Sequence, residues 1–167
     1  MTVPIGTITA YGGVVTGSDK QQLQQQGWLV CDGDEYLIEN YTELYLKIGT
    51  YYGTGSRPEN FRVPDLRGRF VRGVDSGAGR DPDAKSRTAS ATGGSTGDRV
   101  GSLQEDAFKE HSHEIQFNDG NQSQGDNGGR RGKYQNSYGL STSSVGGKET
   151  RPLNIYVNWI IKAKDVD

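Results

Sequence analysis

Apolar positions along this chain fall in short clusters separated by polar tracts, and a few clusters carry a readable period. Tyr41, Leu44, Tyr45 and Ile48 stand at i, i+3, i+4 and i+7, the spacing of one helix face. Asn40 can cap that helix and Gly49 can close it, so a single short helix is expected within 38–49. Residues 154–163 alternate instead. Ile155, Val157, Trp159 and Ile161 share one face, with Tyr156, Asn158, Ile160 and Lys162 on the other, which predicts a strand with its Trp159 face buried.

Earlier clusters are shorter. Residues 3–16 mix β-branched residues with glycine and read as one or two strands turning at Gly12-Gly13. Residues 18–26, "SDKQQLQQQ", are polar and read as an exposed loop. Two apolar runs flank Asp32-Gly33-Asp34 in residues 27–38, a hairpin signal, with Trp28 and Cys31 in its core. Residues 61–73 alternate but contain Pro64 and Gly68, so short extended pieces joined by a turn are expected there. Arg67, Gly68 and Arg69 then serve that turn and salt bridges between subunits.

Two polar tracts interrupt this order. From Ser76 to Gly101 apolar residues nearly vanish, as in a long excursion or an interchain wrap. Residues 118–150 form a second tract rich in Gly, Asn and Ser, with Tyr134, Tyr138 and Leu140 among its few large side chains. No internal repeat of fixed period is present.

Composition sharpens the picture. Only 31% of the 167 residues are apolar while 25 are glycine, so the core available to one chain is thin. Ordering costs about 1–2 kcal/mol per residue, which a thin core offsets more easily when subunits share burial. A homotrimer is expected, because the thin apolar fraction and the long polar tracts leave too little core for a lone chain. Net charge is −2, so no general pull on nucleic acid or membrane is implied. Eight basic and five acidic residues lie between Arg57 and Arg87, with few aromatics, which is poor material for a nucleic-acid surface. No window approaches a membrane span, and a basic-then-apolar leader is not visible at the start. A role outside the cell would then require another exit, such as lysis. A lone Cys31 permits no internal disulfide.

The two histidines, His111 and His113, are one residue apart. On an extended backbone they share a face, about 7 Å apart. One chain offers two imidazoles, too few for a closed structural site. Three strands around a three-fold axis offer two rings of three nitrogens, an octahedral set for a first-row divalent metal. An isolated pair of this kind is more often simply two surface or hydrogen-bonded histidines. A catalytic dyad is a third reading, opposed by geometry, because Glu110 and Glu114 alternate to the other face.

Several segments together resemble the phage tail collar family: "PIGTITAYGG", "GWLVCDGDEY", "LYLKIGTYYGTGS" followed by "FRVPDLRGRFVRG", and then "SLQEDAFKEHSHEI" and "ETRPLNIYVNWIIKA". The stretch from Pro64 to Arg69 is the most specific. The resemblance implies a mainly β fold with one short helix, long glycine-rich loops and an intertwined homotrimer. It implies a collar-like domain over 1–75, and a trimeric tip over 76–167 that carries the histidine segment, receptor-binding loops and the returning strand. Related fibres hold a metal on the trimer axis through His-x-His motifs, and His111 and His113 are the matching positions, for one zinc or iron per trimer. Such fibres usually carry a long shaft before this domain, whereas this chain starts almost at the signature.

The function implied is non-enzymatic: attachment of a phage, or of a phage-derived contractile injection particle, to a glycan or protein receptor on a cell surface. The partners implied are the chain itself, that receptor, and tail or baseplate components, with no nucleic acid and no membrane insertion. Polar loops with isolated tyrosines suit adaptable recognition, so receptor contacts are expected at Asn127, Arg130, Arg131, Tyr134 and Tyr138. The alternatives are a trimerisation or collar module with no receptor of its own and, from a different class, a metalloenzyme.

Overall fold

The computed structural model describes residues 3–107, 110 and 151–166. Residues 3–105 and 153–166 form one compact unit. It is mainly β, with two short helices.

The organising element is the last strand. β1 (Ile8–Tyr11), β2 (Trp28–Val30) and β7 (Asn158–Lys162) make a three-stranded antiparallel sheet in the order β1-β7-β2. β7 is therefore central, and both its faces are covered. Ile161 joins Leu29, Cys31, Leu44, Ile48, Phe61, Val63 and Ala163 in the main cluster. Ile160 joins Val30 and Leu23 in a second cluster on the other face. The alternation of side chains along β2 and β7 sends successive residues to opposite cores.

Helix α1 (Ser18–Gln25) covers the second face and α2 (Thr42–Ile48) belongs to the first. α1 corrects the expectation of a loop over 18–26. Its apolar content is a single leucine, Leu23, buried at 4% exposure. One anchored side chain on a polar, glutamine-rich helix leaves no periodic stripe in the sequence. Gly27 follows it at φ 80°, where an added Cβ would stand 2.1 Å from the Lys164 carbonyl oxygen. That position therefore requires glycine on both counts.

α2 matches the periodic segment, with Leu44 and Ile48 buried and Tyr45 edge-on to Phe61 at 5.6 Å between centroids. Its start differs from expectation. Ile38–Asn40 form a separate 3-10 turn, Tyr41 takes the cap position, and no side chain caps the helix. Thr42 Oγ1 instead donates to the Ile38 carbonyl at 3.0 Å.

The hairpin expected at Asp32-Gly33-Asp34 is also corrected. β3 (Glu35–Leu37) pairs with β4 (Asn60–Arg62), not with β2. The turn hands the chain from one sheet to another, because β2 is already paired with β7. Residues 3–16 supply one strand, β1. Only Asn158–Lys162 of the expected 154–163 strand is in the sheet, and Ile155, Tyr156 and Val157 are exposed.

The polar segment 76–101 folds against its own chain. β5 (Thr88–Ala89) pairs with β6 (Ser102–Leu103). Tyr51 O accepts from Ser95 N at 2.9 Å, and Thr92 O accepts from Thr54 N at 2.9 Å. Glycine-rich sequence hides this order, because its hydrogen bonds run through backbone and carboxylates rather than through apolar contacts.

Candidate functional site

The expected metal ligands His111 and His113 and the expected receptor residues Asn127, Arg130, Arg131, Tyr134 and Tyr138 all lie outside the described residues. In sequence they fall between β6 and β7. Among the described residues, no group of three or more His, Cys, Asp or Glu could hold a metal ion.

What the structure does assemble is the pair of motifs that carried the resemblance. "CDGD" at 31–34 and "VPDLRGR" at 63–69 lie against each other. Gly33 N donates to Pro64 O, Leu66 N to Cys31 O and Val63 N to Asp34 O, all between 3.0 and 3.2 Å. Asp32 and Asp65 form an isolated antiparallel bridge. The two signatures are thus two halves of one backbone clamp beside the main core.

Charge is neutralised locally around this clamp. Lys20 of α1 donates to Asp32 Oδ2 at 2.7 Å and to Asp34 Oδ2 at 2.5 Å. Partial burial works against its charge, but the hydrogen bonds it donates to Asp32 and Asp34 outweigh it and hold the ammonium above the ordinary lysine range. Arg67 grips Asp65 through two bonds of 2.8 and 2.7 Å, and Arg69 donates to the Asp65 carbonyl at 3.0 Å. The Arg67 bonds hold the Asp65 carboxyl below the usual range. The expectation that 67–69 serve a turn is met; the Arg67 and Lys20 pairs lie within one chain. Cys31 is buried, and burial pushes its thiol up to about 12, so it packs and does not react.

A second polar node ties β3 and β4 to the 53–56 loop. Glu35 Oε2 accepts from Ser56 N at 2.8 Å and Ser56 Oγ at 2.7 Å, while Glu35 Oε1 takes Arg62 at 2.5 Å. The Ser56 amide and hydroxyl are the leading reasons its carboxyl titrates below normal. Arg62 spends its other donors on Thr54 O and Gly33 O.

The third node organises 72–98. Asp75 accepts the amides of Gly79, Arg80 and Asp81 at 2.8–3.0 Å. Asp98 accepts those of Asp75 and Gly77. Asp81 and Arg87 form a buried ion pair, with Arg72 and Asp98 near it at 3.8 and 3.6 Å. None of Lys20, Glu35, Arg62, Asp75 or Asp81 stands out in the sequence as a functional residue. Asp75 and Asp81 bracket Gly77 and Gly79 in a segment poor in apolar residues, while Lys20, Glu35 and Arg62 leave no local signal.

Large apolar side chains remain in solvent. Leu153, Ile155 and Tyr156 are 104%, 90% and 79% exposed, and Phe70 is 70% exposed. Among the described residues no helix is long and apolar enough to cross a membrane.

Comparison with known proteins accounts for this frame. The family model for the Phage Tail Collar Domain matches residues 6–71, the stretch that contains both halves of the clamp. Protein RhiB of Rhizobium leguminosarum bv. viciae is 37% identical over 96% of this chain and 77% of its own length. The short tail fiber protein gp12 of Enterobacteria phage T4 is 28% identical over 98% of this chain, which spans 36% of that protein. StfE of Escherichia coli, a putative uncharacterized protein, is 30% identical over 82% of this chain and 79% of its length. With its paired signatures and these relatives, the chain belongs to the phage tail collar family.

Proposed function

We propose that this chain is a non-enzymatic tail-fibre module that assembles as a homotrimer and attaches a phage tail, or a phage-derived injection particle, to a cell-surface glycan or protein. The similarity to a short tail fiber protein across nearly the whole chain supports the tail-fibre reading. The observation that carries assembly is the apolar run Leu153, Ile155, Tyr156, in solvent on a lone chain. It leads directly into the central strand but lies outside the sheet, so its side chains are open to contact with other copies. Exposed apolar patches of this kind mark interaction surfaces.

In this reading His111 and His113 of three chains hold one zinc or iron on the axis, and Asn127, Arg130, Arg131, Tyr134 and Tyr138 contact the receptor. Tail or baseplate components are the other partners, and the place of action is a virion tail or extracellular particle. Native mass spectrometry with elemental analysis tests the assembly directly. A trimer with one metal per three chains is expected; a stable metal-free monomer at micromolar concentration overturns it. Binding to whole cells then separates an attachment protein from a collar module without a receptor.

A further inference from the structure

Where the 91–94 segment crosses the 53–56 loop, the surface is hollowed on both sides of one strip. Thr54, Gly55 and Ser56 line both hollows, of about 420 and 310 Å3. Arg62, Ala91 and Thr92 complete the first; Tyr45, Thr50, Arg57, Pro58 and Asn60 complete the second. The crossing is fixed, not incidental. Thr54 donates to the Thr92 carbonyl from both its backbone amide, at 2.9 Å, and its hydroxyl, at 3.2 Å. Gly93 lies at φ 74°, and a Cβ there would stand 2.6 Å from Thr54 Cγ2, so only glycine lets the segments approach this closely.

The chemistry of the lining selects a class of ligand. The charged groups behind the strip are already spent. Arg62 donates to Thr54 O, Gly33 O and Glu35, and Glu35 accepts from Ser56 and Arg62. Arg57, the cation in the second lining, lies 4.0 Å from Glu59, so the two charges offset and neither hollow presents much net charge. Their linings carry the hydroxyl residues Thr50, Thr54, Ser56 and Thr92, of which Thr54 and Ser56 already donate to the Thr92 carbonyl and Glu35 and are left as acceptors, with the half-buried Tyr45 and Pro58 in the second hollow. Hydroxyls beside an apolar ring match a pyranose, which has an equatorial hydroxyl rim and an apolar CH face. Each hollow falls at the small end of ordinary ligand sites, sized for about one sugar unit.

We infer that this double hollow is a subsite for a neutral saccharide, with successive sugar units on either side of the Thr54–Ser56 strip. The inference rests on the attachment reading above in one respect: it makes the receptor a glycan, and it puts a contact in the collar unit, apart from residues 118–150.

The test is an NMR titration of the full chain with the methyl glycosides of glucose, galactose and N-acetylglucosamine. Shifts at the amides of 54–56 and 91–94 with millimolar affinity are expected for at least one of them. Thr92→Arg fills the first hollow while its carbonyl still accepts from Thr54. It should weaken that glycoside at least tenfold while the amides of the central sheet stay in place. Absence of shifts at these amides for all three glycosides overturns the site, as does wild-type affinity in Thr92→Arg. Glucose 1-phosphate binding more tightly than any neutral probe, in a salt-sensitive way, overturns the neutral class. Whole-cell binding separates the two levels. If wild-type chain binds no cells yet glycosides shift 54–56 and 91–94, the attachment reading fails and the subsite stands. If shortening 118–150 abolishes cell binding and no glycoside shifts those amides, the subsite fails and attachment stands.

Discussion

Arg87 and Asp81 face each other in the interior of a segment almost devoid of apolar residues, with side chains 7% and 3% exposed. The pair, flanked by Arg72 and Asp98, substitutes for a hydrophobic core over 72–98. Removing one member leaves the other buried without its partner, the costly case for ion pairs. Arg87→Met should destabilise the unit by clearly more than the about 0.5 kcal/mol typical of surface changes, read in denaturant melts.

The same carboxylates set the acid response. Arg87 holds the Asp81 carboxyl below its ordinary value, the Gly79 amide leads the same effect at Asp75, Arg67 does so at Asp65, and Ser56 at Glu35. A folded-state value below the unfolded one gives stability that is present above the unfolded value, about 4. That stability is lost as pH falls through the lower folded values. Thermal midpoints should therefore drop below about pH 4, and Arg87→Met should make that drop shallower. An unchanged pH profile in the variant would show that the pair is not a source of it.

Core burial separates two aromatics. Phe61 of β4 is fully buried, with its ring against Tyr45 of α2, while Trp159 is half-buried at the edge of the same cluster. Phe61→Ala should cost about 3–5 kcal/mol and Trp159→Ala less, measured by urea unfolding. Equal losses would place Trp159 in a second, interchain core.

Assembly should depend on the exposed run. Ile155→Asp with Tyr156→Asp should abolish the trimer in light scattering and keep the circular dichroism of the folded unit, because neither side chain is buried in the single chain. Retention of the trimer would move the interface elsewhere.

Metal content should track the histidine pair. His111→Ala removes a ligand from every chain of a symmetric assembly, so elemental analysis should show loss of zinc or iron, and chelation should lower trimer stability. Neutral imidazole is the binding form, so affinity should fall below about pH 6.5. Wild-type metal content in His111→Ala would refute the ligand assignment. Ser112→Ala should retain the metal.

Receptor contacts expected in 118–150 have their own check. A chain with that tract shortened should stay trimeric and lose cell binding. Normal binding by that variant would shift the contact to the collar unit.

Helix α2, the burial of Cys31, the turn at 66–69 and a strand at the end of the chain were legible in the residues alone, because each leaves a local mark: a 3.6-residue period, a glycine, an alternation. The family was legible too, from motifs that follow one another in order along the chain. The partners of those elements were not. Nothing local says that β7 lies between β1 and β2 with a hydrophobic cluster on each face, so the alternation that seemed to offer one buried face marks two cores. Leu23 alone could not announce α1, since a helix anchored at one point has no stripe. Lys20 meets Asp32 and Asp34, and Thr54 meets Thr92, only because the tertiary fold closes loops of 12 to 38 residues. Period and propensity record what a residue's neighbours in the chain require. Pairing across such loops is decided by which distant surfaces bury together, and that is settled by the fold.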